Sequence, residues 1–171
     1  MYNSILRYTQ QIFFSITLSA MLNMKHSMTQ GWSFNAGMSI GATVCLLAFS
    51  FFTYDFMHRN KKSLAEPDIM AKFGSLYAQV EYESHKEALK YTWYFCIRRL
   101  VFGAIIAFLT DILVIQVLLL TELTLLMAAW GVAETPMINF LNDLAFIANE
   151  LILLFSSYFV LVFSRYVPDV T

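Results

Sequence analysis

Four ionisable side chains fall inside long apolar stretches of the sequence: Arg98, Arg99, Glu122 and Glu150. A charge at bilayer depth is expensive, so each of these demands a partner or a purpose. Two arginines and two carboxylates can neutralise one another in a low-dielectric layer, or they can pass an ion or a proton. A second pattern lies close by. Asn142/Asp143, Asn149/Glu150 and Ser156/Ser157 recur every seven residues and so occupy one helical stripe. Such a stripe can wall an ion path, or it can be a polar seam hydrogen-bonded to neighbouring helices. The seam is the simpler reading, because no matching acidic series occurs on another segment. A third pattern is Gly37-Met-Ser-Ile-Gly41, a GxxxG motif that Ser33 and Cys45 extend into a small-residue stripe. Small residues let helix backbones approach closely, although apolar segments also contain this spacing by chance.

Other chemistry is missing from the sequence. His26, His58 and His85 stand apart, and none has a second His or Cys at ligand spacing, so a zinc or haem site is not expected. Cys45 and Cys96, the two cysteines, sit in different apolar segments and suggest neither a disulfide framework nor a metal pair. No phosphate-cradling GxxxxGK or GxGxxG loop and no GxSxG elbow occurs. The expectation is therefore a chain without catalytic residues or cofactor, surrounded by bound lipid. A formal net charge of −1 gives no basic excess for nucleic acid.

The elements that carry these residues follow from composition. Of 171 residues 58% are hydrophobic and 16% aromatic, while 13% are charged, about half the usual share of a soluble domain. One small core cannot bury so much apolar side chain, and lipid is the alternative solvent. A span needs about 20 mostly apolar residues. Ile5 to Met24 is the weakest candidate, Asn35 to Met57 and Asn139 to Phe163 are better, and Tyr91 to Val132 is far too long for one crossing. The expected fold is an all-α membrane bundle of about five spans, with four as the alternative. Residues 1–57 hold the first two helices, 58–90 a polar loop, and 91–171 a three-helix module with a hairpin near 110.

That hairpin, folding between Thr110 and Asp111, would place Arg99 level with Glu122, whereas one straight helix would hold them about 35 Å apart. The expectation is a buried Arg99–Glu122 pair, with Arg98 or Glu150 completing a nearly neutral cluster. Five spans would gather Arg7, Arg59, Lys61, Lys62, Lys72, Lys86, Lys90, Arg98 and Arg99 at one side, leaving Lys25 and Arg165 opposite. The cation-rich side is then the cytoplasm, or the matrix of a mitochondrion. The N-terminal stretch is mildly like a transit peptide, since Arg7 stands there and the first acid is Asp55. It is read as a retained first helix.

In the polar loop, Ser63-Leu-Ala-Glu66 has the pattern of a capping box with Pro67 behind it. Ile69, Met70, Phe73, Leu76, Tyr77 and Val80 then recur at helical spacing, with Lys72, Ser75 and Gln79 elsewhere on the wheel. The helix so predicted either lies along the membrane surface or packs on the protein's own spans.

The second half, roughly residues 70–165, resembles the transient-receptor-potential-like membrane module near the C-termini of large ciliate surface proteins. Lys72-Phe-Gly-Ser-Leu-Tyr77, Cys96-Ile-Arg-Arg-Leu100, Thr110-Asp-Ile-Leu-Val-Ile-Gln116 and Pro136 to Glu150 carry the likeness. It implies a helical hairpin around Arg98-Arg99 and Gln116, and hence five spans. The chain departs from the family's Arg-Pro-Phe-like start after the fourth span, reading Gly131-Val-Ala-Glu-Thr-Pro136 instead.

The leading expectation is a non-catalytic multi-pass subunit that anchors or scaffolds a larger membrane assembly through contacts with lipids and other membrane subunits. A supernumerary subunit of a mitochondrial respiratory complex is one form of it. The alternative that the resemblance and the polar stripe suggest is a pore or gating element of a transient-receptor-potential-like channel, built as a homo-oligomer. Mitochondrial inner membrane and cell surface both remain open as locations.

Overall fold

The computed structural model describes residues 2–31, 34–61, 63–77, 80 and 90–163. Lys62, Lys86 and Arg165 lie outside the described residues, as do Ser33, Gln79 and His85. Among the described residues the chain is all-α. Its helices are α1 (Tyr2–Gln30), α2 (Phe34–Arg59), α3 (Pro67–Phe73), α4 (Tyr91–Phe108), α5 (Leu113–Glu134) and α6 (Phe140–Phe163), and a 3-10 turn over Gly74–Leu76 continues α3. Four of these, α2, α4, α5 and α6, are long and apolar enough to cross a membrane. The protein is a multi-pass helical membrane protein.

The long apolar stretch does break where its length required. Helix α4 ends at Phe108, Ile112 N–H donates to the Leu109 carbonyl at 3.1 Å to close a turn, and α5 starts at Leu113. Helix α1 is long but more polar than the other four. It runs parallel to α4, in contact from Gln10 to Lys25. Arg99 meets the Gln10 carbonyl, Gly103 faces Thr17, and Lys25 reaches Thr110 and Asp111 at the hairpin tip. Helix α1 therefore shares the depth of α4 over that stretch. Gly31, at φ 102, turns the chain from α1 into α2, a backbone conformation that favours glycine.

Phe13 and Met21 of α1, Leu46 of α2, and Cys96, Leu100 and Ala107 of α4 form the buried centre of this three-helix group. Several hydroxyls on the helices are satisfied within their own helix, while Thr92 of α4 donates to the Leu76 carbonyl at 2.6 Å. Thr17 bonds Phe13, Ser50 bonds Leu46, and Thr124 bonds Leu120 through the carbonyl four residues back. Helix α6 lies antiparallel against α5, and the Phe146 ring seats directly on Gly131. Helix α4 joins this pair to the rest at both ends. Gln116 Nε2 donates to the Ile106 carbonyl at 3.3 Å near the tip, and Tyr91 and Tyr94 contact Trp130 at the other end.

The described part of the polar loop packs on the protein. Leu64, Leu76, Tyr77 and Val80 cluster with Met57, and Leu6, Phe56, Ile69 and Phe73 pack around them. Two expectations are corrected here. The capping box does not form: Glu66 takes the N-cap position without a side-chain bond, Pro67 is the first helical residue, and Ser63 donates its hydroxyl to the Asn60 carbonyl instead. Proline fixes φ and sets the start of the helix at itself, four residues beyond Ser63. The helix is also shorter than its periodicity suggested, since α3 stops at Phe73 and Tyr77 stands in a turn.

Thr135 ends α5 in the left-handed region, at φ 38 and ψ 65, with its N–H on the Gly131 carbonyl. A β-branched residue there is strained by about 1 kcal/mol or more. Thr135→Gly is expected to stabilise the protein by about 1 kcal/mol, measured as a higher midpoint of thermal unfolding in detergent. An unchanged or lower midpoint would mean that Thr135 contributes contacts that offset its strain.

Candidate functional site: the charged layer between the spans

Arg98 and Arg99 are consecutive, so their side chains leave α4 about 100° apart. One turns to α6 and the other to α1. The Arg98 guanidinium forms a bidentate, parallel pair with the Glu150 carboxylate, Nη1 to Oε1 and Nη2 to Oε2. The Glu150 side chain is fully buried and that of Arg98 is 12% exposed. Planar guanidinium and carboxylate match in this fork geometry, which is the strongest form of the pair. Arg99 donates to the Gln10 backbone carbonyl at 2.8 Å and lies over the Phe95 ring, 3.8 Å from its centroid. Its charge thus rests on a carbonyl dipole and an aromatic face.

Glu122 does not pair with Arg99. Gln116 Nε2 donates to the Ile105 and Ile106 carbonyls, a hairpin register in which residue 122 is about level with residue 99. The direction of Glu122 is what differs. The inward face of α5 carries Gln116, Val117, Thr124, Met127 and Gly131. Glu122 stands about 200° around the helix from Thr124 and is exposed on the outer surface at mid-span. The cluster of four charges resolves into a closed Arg98–Glu150 pair, Arg99 resting on α1, and an outward Glu122.

The polar stripe of α6 splits along its length. Asp143 and Glu150 are buried. Asp143 accepts a 3.1 Å bond from Met137 N–H and so ties the first turn of α6 to the preceding loop, and Met137 pairs with Val80 in an isolated bridge. Asn142 and Ser157 are half-buried, while Asn149 and Ser156 face outward. The Ser156 hydroxyl bonds the Ile152 carbonyl within its own helix.

The GxxxG expectation is corrected for contacts within the chain. Gly37 and Gly41 are exposed, and a Cβ added at either would meet nothing within 4 Å. The close approaches occur at Gly103 against Thr17 and at Gly131 against Phe146. Sequence reading also passed over the polar face of α1. Asn3, Arg7 and Gln10 recur at i, i+4 and i+7, the spacing of one helical face, and that spacing was the available signal. No family model matches the chain, and neither a curated protein nor a solved structure matches it.

At the opposite end, Lys25 pairs with Asp111 at 3.5 Å. The lone described cation of that side is thereby offset, and Arg7, Arg59, Lys61, Lys72 and Lys90 gather at the other.

Proposed function

We propose that the protein is a non-catalytic subunit that anchors a larger membrane assembly. The observation that carries this reading is Glu122. An acid exposed to lipid at the centre of a span is unfavourable by roughly 2–3 kcal/mol, and among the described residues it has neither an ion pair nor a hydrogen bond. A helix from another chain, bringing a cation or a hydrogen-bond donor, relieves that cost. Asn149 and Ser156 add polar groups to the outer surface of α6, and Gly37 and Gly41 leave a shallow strip on α2 where another helix backbone fits closely. In this reading α1 is the fifth crossing, at the depth of α4, and the cation-rich end faces the cytoplasm or the mitochondrial matrix. The lack of acids before Asp55 supports the matrix and membership of a respiratory complex.

The test is mild-detergent purification of the native protein with mass spectrometry of what accompanies it, for the wild type and for Glu122→Ala. Unrelated stoichiometric partners, reduced about tenfold or more by the substitution, are the expected result. Full retention of those partners by the variant would remove Glu122 from the interface. A homo-oligomer without other subunits would transfer support to the channel reading, where Asn149 would face the axis, since Glu150 is held by Arg98.

A further inference from the structure

A cavity of about 650 Å³ opens at the cation-rich end, between the N-terminal turns of α1, the 3-10 turn and the start of α4. Arg7, Gln10 and Gln11 line it from α1, Ser75 from the 3-10 turn, and Arg99 from α4. Its described lining residues include two arginines and no carboxylate. Among the described residues neither arginine has a carboxylate partner. Arg7 makes no ion pair or hydrogen bond among the described residues, and Arg99 spends one N–H on the Gln10 carbonyl and keeps its others. The Ser75 hydroxyl is buried without any partner, while its own N–H is fixed by Asn3 Oδ1 at 2.6 Å. A buried hydroxyl with no partner costs about 1–3 kcal/mol, a cost that a turn of the Ser75 side chain toward an acceptor-rich anion in the cavity would relieve. Arg7 lies one helical turn beyond Gln10, toward the membrane surface, and Gln10 is level with Arg99. Arg7 therefore stands about 5 Å nearer the cation-rich surface than Arg99, which lies near the middle of α4.

We infer that this cavity binds a phosphate group, held between Arg7 and Arg99 with Ser75 donating to it. Guanidinium groups match phosphate oxygens in fork geometry, and the hydroxyl supplies a third donor. The phosphate can belong to an anionic phospholipid or be free in solution. Met70 and Ile138, apolar residues that also line the cavity, favour the lipid, whose glycerol and upper chain would cover them. The site does not depend on the anchoring role proposed above, because none of its residues lies on the surface around Glu122.

The experiment reconstitutes the full chain in nanodiscs of pure phosphatidylcholine, or of phosphatidylcholine with about one fifth phosphatidylglycerol, and counts retained lipid by native mass spectrometry. A second arm titrates inorganic phosphate onto the phosphatidylcholine discs. Arg7→Gln is the principal variant, since Arg7 touches no other group whose loss would unfold the chain. Lys72→Gln, exposed at the same end but outside the cavity, controls for general surface charge. The expected result is retained phosphatidylglycerol that falls roughly tenfold in Arg7→Gln and stays within about twofold of wild type in Lys72→Gln. Saturable, Arg7-dependent binding in the inorganic phosphate arm would support the same site and assign it to the free ion. Binding in neither arm, or equal losses in Arg7→Gln and Lys72→Gln, would overturn the inference.

Discussion

Glu150→Ala is expected to destabilise the protein by about 3–5 kcal/mol, and removing Arg98 as well should restore much of that loss. The pair joins α4 to α6 in a place shielded from water. Its net contribution relative to apolar packing is small, because desolvating both ions offsets their attraction. Breaking it is different. A lone guanidinium keeps its charge, whereas a lone carboxyl can take up a proton and become neutral. Three variants therefore rank in an unusual order: Glu150→Ala is worst, Arg98→Ala intermediate, and the double variant mildest. Unfolding free energies in mixed micelles give the ranking directly. A double variant as unstable as Glu150→Ala would show that shape at the α4–α6 contact, and not charge, sets the cost.

Gly103→Val is expected to lower stability by roughly 1–3 kcal/mol through overpacking. Even a single added Cβ at Gly103 would stand 2.8 Å from Thr17 Cγ2. Thr17 cannot give way easily, being fully buried with its hydroxyl on the Phe13 carbonyl at 2.8 Å. The conflict is confined to one methyl group, and that makes it repairable. Thr17→Ser keeps the hydroxyl bond and removes the methyl. Combined with Thr17→Ser, Gly103→Ala should equal or exceed wild-type stability, because alanine gains about 1 kcal/mol over glycine in a helix. Gly103→Ala alone should fall below the combined variant. Equal stability of the two would mean that α1 and α4 separate freely, and the parallel packing of α1 on α4 would then carry little weight.

The spans were legible because length in a membrane is bounded. Forty-two mostly apolar residues from Tyr91 to Val132 cannot be one crossing, and the chain folds back where Thr110 and Asp111 interrupt it. Depth followed from the same symmetry, and so Arg99 and Glu122 share a level. Azimuth did not follow, because hairpin symmetry fixes height and leaves rotation about each helix free. The stripe of Gln116, Thr124 and Gly131 marks the inward face of α5 and sets Glu122 on the other side. The partner of Arg98 was hidden for a further reason: it lies 52 positions away on α6, outside any symmetry of the hairpin. Gly103 and Ala107 stand at small-xxx-small spacing in α4, a signal the more conspicuous GxxxG of α2 obscured. The exposed GxxxG motif of α2 gave a pattern that the chain itself does not use.

The distance along the chain between Arg98 and Glu150 has a consequence for biogenesis. At about 5–20 residues per second, the ribosome reaches Glu150 roughly 3–10 s after Arg98. During that interval α4 holds two arginines in or beside the bilayer with no carboxylate to receive either. Each is unfavourable by about 2.5–3.5 kcal/mol at the centre of a helix. Helix α4 is thus a poor independent passenger, and its final position is set only when α6 arrives to clasp Arg98. A nascent chain that stops before residue 150 carries an exposed positive charge at membrane depth, a mark by which an unfinished copy differs from a finished one.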